Sequence, residues 1–266
     1  MFTVKAKKNL GQHFLKDKEI ARRIAATLDA FPLLPVLEVG PGTGMLTQFL
    51  LQNDRNLTVV EIDRESVAYL HEHFPMLHGH ILEQDFLKMN FSDLYTDQFC
   101  VIGNYPYNIS SQIFFKVLDN REQIPCCSGM IQKEVAERLT ASPGSKTYGI
   151  LSVLMQAWYN VEYLFTVSEQ AFIPPPKVKS AVVRLTRNER KHLNCNEKLF
   201  KSVVKTSFNQ RRKMLRNSIR PLLPAEIDLP DDPMLSKRPE QLSIAQFEQL
   251  TNWLQPLLGK EDEKIN

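Results

Sequence analysis

The 266-residue chain predicts an α/β protein, an open and mostly parallel doubly wound sheet of seven strands followed by a small helical domain. Two patterns point there. Short apolar runs alternate with amphipathic segments from residue 36 onward, and the first of those runs ends in a tight glycine loop. A third observation marks the second domain: Phe200, Val204 and Phe208, then Leu215 and Ile219, recur at helical spacing inside a basic segment.

The elements follow in order. Val36-Leu37-Glu38-Val39 reads as a short buried strand, Gly40-Pro41-Gly42-Thr43-Gly44 as a loop, and Met45 to Gln52 as a helix. Leu57 to Glu61 is a second strand and Arg64 to His73 a second helix. Further strands are expected near His80 to Leu82, Phe99 to Gly103, Gly129 to Ile131, Ile150 to Trp158 and Ser180 to Leu185, with helices near Ser111 to Leu118 and Lys133 to Thr140. The polar stretch Arg187 to Asn196 reads as a linker. The expected domains are therefore 1–186 and 187–266, the second ending in a charged tail from Lys260 to Asn266.

A hydrophobic content of 43% is ample for a packed core. Met1 to Leu15 has lysines but no apolar signal region, and no apolar stretch approaches the length of a membrane span, so a cytoplasmic location is expected. A monomer is also expected. Cys100, Cys126, Cys127 and Cys195 lack CxxC spacing and are expected to be reduced structural thiols. The net charge of +3 hides an asymmetry. Residues 1–186 hold 18 Lys/Arg against 19 Asp/Glu, whereas from Lys198 to Arg220 there are eight basic residues and no acidic one. Such a block suits phosphate, with Arg211, Arg212, Lys213 and Arg216 left to face solvent; a plain solvated face is the other reading.

Gly40, Gly42 and Gly44 allow a sharp turn and close approach of a ligand to the backbone, as in nucleotide-binding loops at strand ends, with a tight structural turn as the alternative. Glu61 strengthens the first reading, because an acid about 20 residues beyond the loop can accept two ribose hydroxyls. Asp85 then suits an adenine amine, or is an exposed turn residue. His71, His73, His78 and His80 lie close together, yet residues two apart on a helix point about 200° away from each other, so no metal site is expected.

Asn104-Tyr105-Pro106-Tyr107 follows the apolar run Phe99 to Gly103 and delivers an amide and an aromatic ring together. Alkylating a planar amine requires drawing its lone pair out of conjugation. An Asn oxygen and a nearby carbonyl can accept the amine hydrogens while Tyr107 stacks on the base. An ordinary strand and turn is the plain alternative. Phe172-Ile173-Pro174-Pro175-Pro176-Lys177-Val178 is stiff, and either holds Phe172 as a second stacking ring or is a connector carrying a core Phe.

With these residues in view, the chain resembles the ribosomal RNA adenine dimethyltransferases. The resemblance is carried by Asn9-Leu10-Gly11-Gln12-His13-Phe14-Leu15, Glu38 to Gly44, Asn104 to Tyr107, Gln132 to Arg138, Phe172 to Val178 and Phe208 to Lys213, nearly the whole length. It implies a Rossmann-like seven-stranded methyltransferase domain with S-adenosylmethionine as methyl donor. It places His13, Leu15, Gly40, Glu61, Asp85 and Asn104 in the donor pocket. It also implies dimethylation of two adjacent adenines in a loop near the 3′ end of small-subunit rRNA, within a pre-ribosomal particle. The chain departs from the family pattern at His13, where Asn is frequent, and at Tyr105, where Leu or Ile is usual. Rivals are a large-subunit adenine dimethyltransferase, a non-catalytic RNA-binding assembly factor on the same fold, and a nicotinamide oxidoreductase.

Overall fold

A computed structural model describes residues 4–258, so the charged tail from Lys260 lies outside the described residues. The strands are β1 (Phe14–Leu15), β2 (Val36–Val39), β3 (Leu57–Glu61), β4 (Ile81–Glu83), β5 (Cys100–Asn104), β6 (Cys126–Gln132), β7 (Tyr159–Val167), β8 (Phe172–Ile173) and β9 (Ser180–Arg187). The helices are α1 (Lys18–Ala25), α2 (Thr47–Gln52), α3 (Arg64–His73), α4 (Ser110–Asp119), α5 (Lys133–Leu139), α6 (Ile150–Gln156), α7 (Glu197–Asn209), α8 (Leu215–Ser218) and α9 (Ile244–Leu254).

Seven strands form one sheet in the order β4-β3-β2-β5-β6-β9-β7, and β1 pairs with β8 in a separate two-stranded ribbon. Five consecutive strands, β4, β3, β2, β5 and β6, run parallel, whereas β9 is antiparallel to β6. Strands β2 and β3 are buried along their whole length, as parallel strands covered on both faces must be, which is why they read as unbroken apolar runs. Side-chain alternation sends Val36, Val59, Cys100, Ile102, Cys126, Met130 and Val182 to one core, with Ala21, Ile24 and Ala25 of α1 and Leu50 of α2. The chain steps from β2 outward through β3 to β4, then returns to β5 on the other side of β2. That reversal opens a crevice at the carboxyl ends of β2, β3 and β5.

Asp63 caps α3 by accepting the Glu65 N–H at 3.3 Å, so α3 begins and ends where the sequence predicts. The expected strand at Ile150 to Trp158 is instead α6, and the seventh strand is β7, which directly follows it. An apolar run of this length fits either structure. Helix wins because Ser152 bridges the start, accepting from the Gly149 N–H at 3.0 Å and donating to the Arg138 carbonyl at 2.5 Å.

The chain divides into two compact units. The first contains the described residues up to Ala136 together with Asn160–Arg187; the second contains Glu137–Tyr159 and the described residues from Asn188 on. The break after Arg187 lies one residue from the expected boundary, but residues 137–159 join the helical unit. In that unit the apolar face of α7 is formed by Leu199, Phe200, Val203, Val204 and Phe208, all buried, and Phe208 lies against Phe247 of α9 with ring centroids 5.9 Å apart.

Candidate active site

A cavity of about 210 Å³ occupies the crevice at the ends of β2, β3 and β5. Its walls include His13, Leu15, Gly40, Glu61, Asp85, Asn104 and Tyr107, which brings together every expected donor-pocket residue and one of the two expected stacking rings.

The floor is the loop after β2. Gly40 and Gly42 adopt φ of 67° and 57°, values that a side chain disfavours. A Cβ on Gly40 would meet only the Pro106 ring, at 3.7 Å, so its absence leaves room for a ligand against the backbone. A Cβ on Gly42 would come within 2.9 Å of the Phe14 ring. The carboxylate of Glu61 ends β3 and accepts from the N–H groups of Gly42 at 3.1 Å and of Ile62 and Asp63 at 2.9 Å each. Burial raises its pKa, and those three donors oppose the rise. A carboxylate oriented in this way, above an open glycine backbone, fits the vicinal hydroxyls of an adenosyl group. Asp85 caps the turn after β4, accepting from the Leu87 N–H at 3.0 Å.

Asn104 is the last residue of β5. Its Nδ2 donates to the His13 carbonyl at 3.0 Å, which identifies the nitrogen end of the amide and leaves Oδ1 as an acceptor. Tyr107 is held through its hydroxyl, 2.5 Å from Ser180 Oγ, and its ring stacks on His13 with centroids 5.3 Å apart. Burial raises the Tyr107 pKa, so the phenol is neutral near pH 7. His13 Nδ1 donates to the Pro174 carbonyl at 2.9 Å and thereby ties the proline-rich segment to the site.

Phe172 is not among the residues that line the cavity. It is only 1% exposed and belongs to the same core cluster as Leu15, Ile24 and Val167. The ribbon explains this, because β8 alternates and pairing Leu15 with Phe172 turns both inward while Ile173 faces out. Tyr105 likewise belongs to the protein interior. It is 1% exposed, its hydroxyl donates to the Ser128 carbonyl at 2.7 Å, and a Cβ on Gly129 would stand 2.6 Å from its ring.

Glu38, Ile62 and Gln12 are among the wall residues missed at the sequence level. Glu38 is 1% exposed, accepts from the Thr47 hydroxyl at 2.7 Å, and is pushed up to about 8 by burial. Ile62 is 53% exposed directly after Glu61 and gives the cavity an apolar edge; its place next to the strand-end acid was the available signal. Gln12 lines the cavity and donates to Asp63 at 3.2 Å, a contact between residues far apart in sequence that no local pattern announces.

In the second unit, the basic block is not uniform. Arg211 donates to the carbonyls of Ser145 and Lys146 at 3.3 and 2.6 Å. Arg216 pairs with Asp231 at 3.5 Å. Arg212 and Lys213 are exposed.

Comparison with known proteins agrees with this geometry. The family model described as ribosomal RNA adenine dimethylase matches residues 3–256. The chain is 69% identical to ribosomal RNA small subunit methyltransferase A of Parabacteroides distasonis, over 98% of each protein, and 58% identical to the protein of that name from Flavobacterium johnsoniae, over 94% of this chain and 96% of that one. Among solved structures, a dimethyladenosine transferase from Plasmodium falciparum superposes with a TM-score of 0.77 at 26% identity, covering 92% of this chain and 98% of that one. The 23S rRNA methyltransferase ErmE gives 0.65 at 28% identity, covering 90% and 99%. With the glycine loop, the strand-end carboxylate and the oriented Asn104 amide in one crevice, the chain belongs to the ribosomal RNA adenine dimethylase family.

Proposed function

We propose that this enzyme transfers methyl groups from S-adenosylmethionine to the exocyclic N6 of two adjacent adenines in a loop near the 3′ end of small-subunit rRNA, dimethylating each. The observation that carries this reading is the Asn104 amide, oriented by the His13 carbonyl at the wall of a cavity that also holds Glu61 and the glycine loop. The relatives at 58% to 69% identity bear the small-subunit name, which favours that target over the large subunit.

Gly40, Glu61 and Asp85 are the residues to hold the donor, with Ile62 as an apolar edge for its base. When bound, the donor supplies an electrophilic methyl group on a sulfonium, so a covalent enzyme intermediate is not required. Asn104 Oδ1 and the Tyr105 carbonyl accept the two amine hydrogens and draw the nitrogen lone pair out of the adenine plane. Tyr107, neutral and pinned by Ser180, offers its ring to the base, a contact worth roughly 1–3 kcal/mol. The amine proton can leave after transfer, and no side chain is assigned as general base. Positioning then carries most of the rate, a contribution that reaches about 7–11 kcal/mol in well-oriented systems.

The substrate is rRNA in a pre-ribosomal particle, met by a monomer in the cytoplasm. Among the described residues no helix is long and apolar enough to cross a membrane. Arg212 and Lys213 are the cations of the basic block best placed to meet phosphate. Supplying labelled donor with unmodified small or large subunits tests the proposal. Label on two adjacent small-subunit adenines is expected, and label on the large subunit alone would overturn it.

A further inference from the structure

The segment from Lys7 to Leu15 crosses both sides of the cavity. Phe14 packs on Gly42 of the donor loop, the His13 carbonyl orients Asn104, and the His13 ring stacks on Tyr107. What anchors its other end is an ion pair. Lys7 Nζ lies 2.5 Å from Asp63 Oδ1 and 3.1 Å from Glu65, while Gln12 donates to the second Asp63 oxygen at 3.2 Å and accepts from the Lys7 N–H at 2.8 Å. Asp63 is two residues beyond Glu61, and its own N–H is one of the three that orient the Glu61 carboxylate. Its side chain is 1% exposed, whereas that of Lys7 is 34% exposed.

We infer that Lys7 and Asp63 form a latch that holds the Lys7–Leu15 strap over the donor cavity, making Lys7 a positioning residue for a reaction whose reactants it does not touch. The inference rests on the reading of the cavity as the donor site. One buried carboxylate serves three tasks: it caps α3, binds Gln12 and receives Lys7. Desolvation works against its charge, and the hydrogen bonds from Lys7, Gln12 and Ser66 outweigh that effect and hold its pKa below the ordinary value. Removing the Lys7 cation leaves that charge short of its strongest partner and frees the end of the strap. Donor binding must then reorder the strap before Phe14 and the His13 carbonyl are in place, so the apparent affinity is the intrinsic affinity multiplied by the fraction of time the strap is closed.

The test compares Lys7→Met and Lys7→Arg with the unaltered protein, using calorimetry with S-adenosylmethionine and amide hydrogen exchange of residues 8–15 without ligand. Lys7→Met is expected to weaken donor binding about fivefold, the upper end for a partly exposed ion pair, and to speed exchange in the strap. Lys7→Arg restores both; the melting temperature of Lys7→Met falls as well, because the buried Asp63 carboxylate loses a partner, so exchange in residues 8–15 that speeds more than in the rest of the chain is the readout specific to the strap. Unchanged affinity and exchange in Lys7→Met would overturn the latch. So would weakened binding that comes with a broad loss of stability and no recovery in Lys7→Arg. If the unaltered protein itself fails to bind the donor, the reading of the cavity fails first and takes the latch with it.

Discussion

The side-chain amide of Asn104 and the backbone carbonyl of His13, 91 residues apart, share a 3.0 Å hydrogen bond at the cavity wall. An amide has two ends of similar shape and opposite polarity, and this bond decides which one is the donor. A carboxylate at position 104 cannot make it. Asn104→Asp and Asn104→Ala are therefore expected to lower kcat about 100- to 1000-fold, the loss typical of one oriented polar group in a catalytic site. Methyl transfer to unmodified small subunits measures the rate and calorimetry the donor affinity, which largely persists in the Ala variant. Near-normal turnover in either variant would remove Asn104 from the chemistry.

Glu38 predicts a pH dependence of stability. Burial pushes its carboxyl from 4.5 to about 8, the charge of Glu61 adds to the rise, and the Thr47 hydroxyl only partly offsets it. Between those two values the folded protein keeps a proton that the unfolded chain releases. This contribution to stability is thus full below about pH 4.5 and is lost as pH rises through 8. Glu38→Gln keeps an acceptor for Thr47 and removes the titration. Its melting temperature should fall less than that of the unaltered protein between pH 5 and 8.5, and parallel curves would contradict the assignment.

The side chain of Tyr105 should prove structural, leaving only its backbone carbonyl for the chemistry. Its hydroxyl serves the buried Ser128 carbonyl, so Tyr105→Phe is expected to destabilise by about 1–3 kcal/mol in denaturant titration. Tyr105→Leu should cost more, because it also empties the space over Gly103 and Gly129. Donor affinity of the Phe variant is expected to be unchanged; a large fall would mean that the phenol shapes the pocket.

The basic block should split by role. Neutralising Arg212 and Lys213 is expected to weaken RNA binding and to reduce its salt dependence by about 0.7–0.9 log units per lost phosphate contact. Arg211→Ala and Arg216→Ala should act first on stability, since their guanidiniums hold the Ser145 and Lys146 carbonyls and Asp231. Filter binding across a salt series, with thermal melts alongside, separates the two pairs. Equal salt slopes for Arg212/Lys213 variants and the unaltered protein would take these residues out of the interface.

The sequence by itself determined the parallel sheet, the glycine loop, the strand-end acid and the Asn-Tyr-Pro-Tyr turn, because each is written in a local pattern. A strand buried on both faces is an apolar run, and a loop with positive φ is a run of glycines. It also carried the family resemblance that the comparisons bear out. Tertiary structure decided what depends on facing and on distant partners. Strand pairing turned Phe172 inward, while Tyr107 lines the cavity; an N-terminal hydrogen-bond bridge made Ile150–Gln156 a helix; long-range neighbours made Tyr105 a core residue and engaged Arg211 and Arg216. The physical reason is common to these cases. Which side of an element is covered, and by which atoms, is set in most of these cases by residues outside the element, and the pattern of residue types within it does not record them.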